Sequence, residues 1–279
     1  MIIDPSSTKT EFNNTNNTNK TKITVITAIF NKFDILREPL IVNKNIKYIC
    51  ITDDPTLKSN VWKIIVNPSN INKRWSGRKK TYYVRYHPFE FCDDDTDYCF
   101  WVDASIQLNK FDFEYYANTN KDIIAIYTQE ISKFASEYLF NFSKDYTLKN
   151  PDNCKFLYIN TINFANMLNC IYKKYKNAKN IDKIYSIFGA LRGYKNNKLL
   201  KEKLVEVFNT LLNVEPIKNS EIGMYYDYRI VGDILFYDEP FAGIILSDFS
   251  AIKLGFFDTI NTDLLKMYCH NTYDLRSIF

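Results

Sequence analysis

DYCFWVDASIQL, residues Asp97 to Leu108, spends five residues on an apolar run and then delivers a carboxylate. Tyr98 to Val102 is aromatic and apolar with no polar alternation, the pattern of a short strand buried on both faces. The small polar step Asp103-Ala104-Ser105 that follows is what a buried strand shows where it stops. In an open α/β sheet, ligands occupy the crevice at the carboxyl ends of the strands, so Asp103 stands where a site would form. The structural alternative is that Asp103 only caps a turn, as Asp commonly does.

The same pattern recurs on either side. KITVITAIF (Lys22 to Phe30) is β-branched and apolar on both faces, and Asn31 and Asp34 follow it. IKYICITDD (Ile46 to Asp54) ends in Thr52-Asp53-Asp54, and VWKIIV (Val61 to Val66) ends at Asn67-Pro68. Residues from about Gly77 to Phe91 have helical spacing. Beyond the opening stretch, DIIAIY (Asp122 to Tyr127) and KIYSIFGALRGY (Lys183 to Tyr194, interrupted by Gly189 and Gly193) read as strands, as do the short pieces ILFYDEP and AGIILSDF near the end. An amphipathic helix is predicted from about Thr161 to Lys176. A clearer one runs over Asn196 to Asn213, where Leu200, Leu204, Val207, Phe208 and Leu211 share one face. Strands alternating with helices predict a single α/β, Rossmann-like domain whose mostly parallel mixed sheet is covered by helices. Residues 1–21, rich in Asn and Thr, are predicted to be a disordered tail, and residues 22–279 to be the domain.

Composition excludes several functions. A chain of 279 residues, 46% hydrophobic and 16% aromatic, can bury a full core. Its net charge is only +4, with basic residues scattered apart from KRWSGRKK (Lys73 to Lys80), so no nucleic acid partner is expected. Aromatic and basic residues interleaved in the following helix, around Arg78 to His87, would also suit single-stranded nucleic acid, a reading the small positive excess places well behind. No apolar run reaches the roughly 20 residues of a membrane span, and no signal peptide is visible, which predicts a protein without a transmembrane segment. Six cysteines form no CxxC pair, consistent with a reducing cytoplasm. With two histidines and seven glycines the chain has no HExxH, no GxGxxG and no Walker loop.

Four pieces together resemble a family of glycosyltransferase-like proteins that includes plant mucilage- and turgor-related members and bacterial and viral polysaccharide-locus members. They are TAIFNKFD (Thr27 to Asp34), CITDD (Cys50 to Asp54), RKKTYYVRYHP (Arg78 to Pro88) and WVDAS (Trp101 to Ser105). WVDAS is the most specific, and the match covers about residues 22 to 130. The resemblance implies a GT-A type nucleotide-sugar fold, and with it manganese or magnesium as cofactor, a nucleotide-sugar donor with a UDP-sugar first, a glycan or glycoconjugate acceptor, and a part in polysaccharide biosynthesis. On this reading Thr27, Ala28, Phe30, Asp34 and Asp53 hold the nucleoside. Asp103 takes the place of the first acid of the family's metal motif, with Ser105 where the second acid would be and His270 as a candidate second ligand. Asp103→Ala would then abolish metal-dependent donor binding and leave the fold intact.

The remaining candidates rest on the residues' spacing together with the resemblance, which implies a late Asp-Gln pair at a position similar to Asp227. Arg78, Tyr82 and Arg85 fall at i, i+4 and i+7 of a helix and share a face; turned toward the cleft, two guanidinium groups would grip a diphosphate. His87 precedes Pro88 and is a candidate positioning donor. Asp227 is the candidate for the acceptor side, where an inverting transfer needs a carboxylate to take a hydroxyl proton, and Glu221 and Asp233 compete for that role. Gly189 and Gly193 would admit either a close sugar or a strand bulge. Two rival functions stay open: a non-catalytic nucleotide-sugar or carbohydrate-binding module, and a hydrolase, for which the chain offers no nucleophile and base pair.

Overall fold

The computed structural model describes residues 20–131, 170, 173–175, 184–214 and 238–268. In chain order these form β1 (Ile23–Ile29), β2 (Ile46–Thr52), β3 (Lys63–Val66), α1 (Gly77–Tyr86), a 3-10 turn (Pro88–Phe91), β4 (Tyr98–Val102), β5 (Ile106–Leu108) and α2 (Phe113–Asn118). Next come β6 (Ile123–Ile131), β7 (Ile184–Lys195), α3 (Lys198–Val214), α4 (Asp238–Ile245), β8 (Ala251–Gly255), a helical turn (Phe256–Thr259) and β9 (Leu265–Met267).

Seven of the strands make one sheet in the order β3-β2-β1-β4-β7-β6-β8. β3, β2, β1 and β4 run parallel, as do β6 and β8, while β7 runs antiparallel to both β4 and β6. The mostly parallel mixed sheet expected from sequence is present. Strand β4 is buried throughout, and the period of two divides its side chains: Tyr98, Phe100 and Val102 join Val25 and Ile29 in one apolar cluster, and Cys99 and Trp101 join Ile26, Ala28 and Val84 in the cluster beneath α1. By the same alternation Asp103 faces α1. A third cluster lies under α3 and α4, where Leu200, Leu204, Val207 and Phe208 bury the face foreseen from their spacing.

β7 carries a large irregularity. Arg192 pairs with Ala125 of β6, and the next paired residue, Ile187, faces Tyr127, so Phe188 to Leu191 lie opposite a single residue of β6. Arg192, fully buried, holds this bulge: Nε donates to the Phe188 carbonyl at 3.1 Å, Nη2 to the Ile187 carbonyl at 2.6 Å and Nη1 to the Tyr86 hydroxyl at 2.5 Å. A buried guanidinium is tolerable only with such acceptors.

The end of the chain departs from expectation. AGIILSDF reads as a strand, yet Ala242 to Ile245 lie on helix α4. Phe241, Ala242, Ile244, Ile245 and Leu246 are all buried, and a helix apolar all round leaves no 3.6 period to separate it from a buried strand. The strands of this region, β8 and β9, fall later. Of the helix expected over residues 161–176, residues 170 and 173–175 are described and are helical. The tail 1–19 lies outside the described residues, and so does Ile234–Tyr237 of ILFYDEP.

α4 touches β7 closely: a Cβ on Gly243 would stand 2.0 Å from the Tyr185 carbonyl oxygen. Backbone on both sides cannot yield cheaply, so Gly243→Ala should destabilise the protein by about 3 kcal/mol or more. Urea denaturation checks this, and an unchanged midpoint would mean that α4 does not seat on β7 in this way.

Candidate functional site

Each acid that the sequence places at a strand end is matched by a base. After β1, Asp34 Oδ1 accepts from Arg37 Nη1 at 2.9 Å. After β2, Asp53 Oδ2 lies 3.5 Å from Lys80 Nζ, and Asp54 Oδ2 lies 3.6 Å from Lys32 Nζ. After β4, Asp103 Oδ2 accepts from Arg85 Nη2 at 3.2 Å. The first and last pairs are well shielded, with side-chain exposures of 3% and 14% for Asp34 and Arg37 and of 22% and 6% for Asp103 and Arg85. The Lys32–Asp54 pair is looser; the Asp54 carboxyl is held below its usual range chiefly by hydrogen bonds from Thr56.

Helix α1 brings these ends together. Ser76 caps it, its side chain accepting from the Lys79 N–H at 3.3 Å. The helix then passes three strand ends in turn: Gly77 packs against Phe30 and Asn31 after β1, Lys80 meets Asp53 after β2, and Arg85 meets Asp103 after β4. At the β1 end, Asn31 and Lys32 both adopt positive φ, and the Phe33 N–H donates to the Phe30 carbonyl at 3.1 Å, closing a tight turn. The Asn31 N–H donates to Asp53 Oδ1 at 2.9 Å, tying the first two strand ends to each other.

Asp103 is the most heavily engaged. Its Oδ1 accepts from the Ser105 N–H and hydroxyl, both at 3.2 Å, and its own N–H donates to the Ala190 carbonyl of β7 at 2.9 Å. Arg85 lies over the Trp101 ring, 4.9 Å from its centroid, and over Tyr82 at 5.3 Å. The Trp101 indole donates to the Gly189 carbonyl at 3.0 Å. A Cβ on Gly189 would come within 3.1 Å of Arg85 Nη1, and one on Gly193 within 2.4 Å of the Phe100 ring. The bulge of β7 therefore seats Arg85, and the space beside these two glycines belongs to protein side chains instead of a sugar.

The other expected residues separate into groups. Arg78 is exposed and donates to the Tyr82 hydroxyl at 2.9 Å, sharing the helix face with Arg85 as its spacing requires. Thr27, Ala28 and Phe30 are buried, the last two in the cluster beneath α1. His87, one residue past α1, turns toward α3: it stacks on Tyr83 with centroids 4.1 Å apart and meets the edge of Phe208 at 5.0 Å. Its Nδ1 lies 3.0 Å from the Tyr83 carbonyl oxygen. Asp227, Glu221, Asp233 and His270 lie outside the described residues.

Sequence reasoning missed Arg37 and Tyr268. Arg37 Nη1 also donates to the Ala104 carbonyl at 2.8 Å and the Ile35 carbonyl at 3.1 Å, and its guanidinium lies 4.5 Å from the centre of the Tyr268 ring. Tyr268 arrives because β9 pairs antiparallel with β5, after which its N–H donates to the Ser105 carbonyl at 2.9 Å. The presence of Asp34 and Arg37 in one short loop after β1 was the available signal for the first. Nothing local signals the second.

A divalent cation wants about six oxygen ligands, usually with several carboxylates. Among the described residues no three His, Cys, Asp or Glu side chains cluster for one, and a guanidinium already stands 3.2 Å from Asp103 Oδ2. The described residues do not fit a metal held by Asp103.

No family model and no curated protein matches the chain. Among solved structures, the mannosyltransferase Ktr4p from S. cerevisiae matches at 11% identity with a TM-score of 0.36, and its complex with GDP at 13% and 0.34, each over 81% of this chain and 66% of that one. Core-mannan synthase A from Aspergillus fumigatus, in an Mn/GDP form, matches at 14% identity and a TM-score of 0.38, over 81% of this chain and 69% of its own. The match thus spans 66% of the yeast protein's length. At these scores the likeness is one of general outline and carries nothing about chemistry.

Two outcomes follow from the geometry. Asp103 carries part of the fold, contrary to the expectation that it can be removed freely: Asp103→Ala removes the carboxylate paired with the buried Arg85 and should cost roughly 3 kcal/mol in urea denaturation, with Asp103→Asn costing less. Burial lowers the pKa of His87 below its usual value, so the unfolded chain binds the proton more readily. Stability should fall as pH drops below about 6.5, and His87→Gln should flatten that part of a Tm-versus-pH profile.

Proposed function

We propose that this protein is a GT-A type glycosyltransferase that moves a sugar from a nucleotide-diphosphate sugar to a glycan or glycoconjugate acceptor. The observation that carries the reading is the row of paired acids and bases along the carboxyl ends of β1, β2 and β4. Carboxylates accept from ribose and sugar hydroxyls, and guanidinium or ammonium groups donate to diphosphate oxygens. Alternating the two along one crevice matches a ligand that alternates hydroxyls with phosphates. The crevice also sits where parallel strands give way to the antiparallel β7, the kind of place in which α/β sheets bind ligands.

On this reading the ends of β1 and β2, with Asp34 and Asp53, border the nucleoside, and Asp103 faces the ribose and diphosphate. Arg85 orients Asp103, and Arg78 lies at the outer edge. Asp227 is proposed to take the proton of the acceptor hydroxyl. No step is assigned to a divalent cation. A role in polysaccharide biosynthesis follows from a glycan acceptor. A cytoplasmic place suits the free thiols at Cys50, Cys92, Cys99 and Cys170. No described helix is long and apolar enough to cross a membrane.

A binding module that no longer transfers sugar is the second reading, favoured by the full engagement of Asp103 with Arg85 and Ser105. Thermal unfolding against UDP, GDP and their sugars tests both, because a ligand that binds only the folded state raises the midpoint. One nucleotide should raise Tm by a few degrees, and its sugar should be hydrolysed slowly to free nucleoside diphosphate. A Tm shift without hydrolysis supports the module. No shift with any nucleotide would remove the nucleotide-sugar reading.

A further inference from the structure

Resting on the glycosyltransferase reading, we propose that the donor diphosphate is held by the guanidinium of Arg37, in place of a divalent cation. Among the described residues, every hydrogen bond of the Arg37 side chain comes from Nη1, to Asp34 Oδ1, the Ile35 carbonyl and the Ala104 carbonyl. Nε and Nη2 donate to no group among the described residues. Their three hydrogens project as a fork, the geometry that meets two oxygens of a phosphoryl group.

The side chain is fixed before any ligand arrives. Three acceptors hold Nη1, and the Tyr268 ring covers one face of the guanidinium at 4.5 Å. The bond to the Ala104 carbonyl places it one residue from Asp103, at the strand end where the donor diphosphate belongs. At 14% exposure it remains accessible, whereas Arg85, at 6%, is committed to Asp103 between Trp101 and Gly189. Asp34, at 3% exposure, is turned inward and leaves the outer side of the guanidinium to the ligand.

The charge balance agrees. A metal is needed where unpaired carboxylates and a diphosphate share a site and repel one another. Among the described residues the strand-end carboxylates are already met by Arg37, Lys80, Lys32 and Arg85, and the Arg37 fork stays open to an anion.

Calorimetric titration of the full chain with UDP, GDP and inorganic pyrophosphate, each in EDTA and in manganese, tests this. Affinity for the nucleoside diphosphate should agree within about twofold between the two conditions, and Arg37→Lys, which keeps the charge and loses the fork, should weaken it about tenfold or more. Binding abolished by EDTA, or unchanged in Arg37→Lys, would overturn the assignment and leave the transferase reading standing. Absence of nucleotide binding under every condition would overturn both. If Arg37→Lys fails to fold, phenylglyoxal labelling of the native protein in EDTA replaces it. Nucleoside diphosphate should then protect Arg37, and labelling that continues while nucleotide is bound would sink the proposal.

Discussion

The guanidinium of Arg85 joins the three parts of this fold that meet at the end of β4. It belongs to α1, pairs with the carboxylate that ends β4, and rests against Gly189 in the bulge of β7, with the Trp101 ring beside it. A charge so enclosed is stable only while each partner stays in place. The position of α1 over the sheet, the end of β4 and the irregular course of β7 are therefore parts of one arrangement. Arg192 supports it from below by holding the carbonyls of Ile187 and Phe188, and so the shape of the bulge that seats Arg85.

The same economy extends along the strand ends. Acids that appear in the sequence as a cluster of negative charge are, in the folded protein, a series of pairs whose bases come from the β1 loop and from α1. Such a crevice has little net charge but many directed donors and acceptors. That favours recognition of a polar ligand by geometry over capture by a strong field.

Much of the fold was legible because buried parallel strands have a strong signature: β1, β2 and β4 fall within the stretches expected, and Tyr98–Val102 agrees at both ends. The strand-end position of Asp103 followed from the same reading. Its partner in Arg85 was only half legible, since helical spacing puts Arg85 on a face with Arg78 and cannot say that one turns inward and the other outward. Arg192 gave no signal, because an arginine inside a strand looks like a surface residue until its acceptors are known. The glycines near it read equally as room for a sugar or as a strand bulge; the bulge is present, and Arg85 and Phe100 fill the space beside them. α4 was mistaken for a strand because its apolar residues run on all sides, and Tyr268 was missed because its place depends on β9 pairing with β5, some 160 positions earlier in the chain.

A crystal structure with the nucleoside diphosphate that gives the largest thermal shift is the most direct test of the central claim, that the paired strand ends form the donor site. The nucleoside should lie over the ends of β1 and β2, with its diphosphate beside Ala104 and within hydrogen-bond reach of Arg37. A nucleotide bound away from these strand ends, with the Asp34, Asp53 and Asp103 pairs undisturbed, would contradict it.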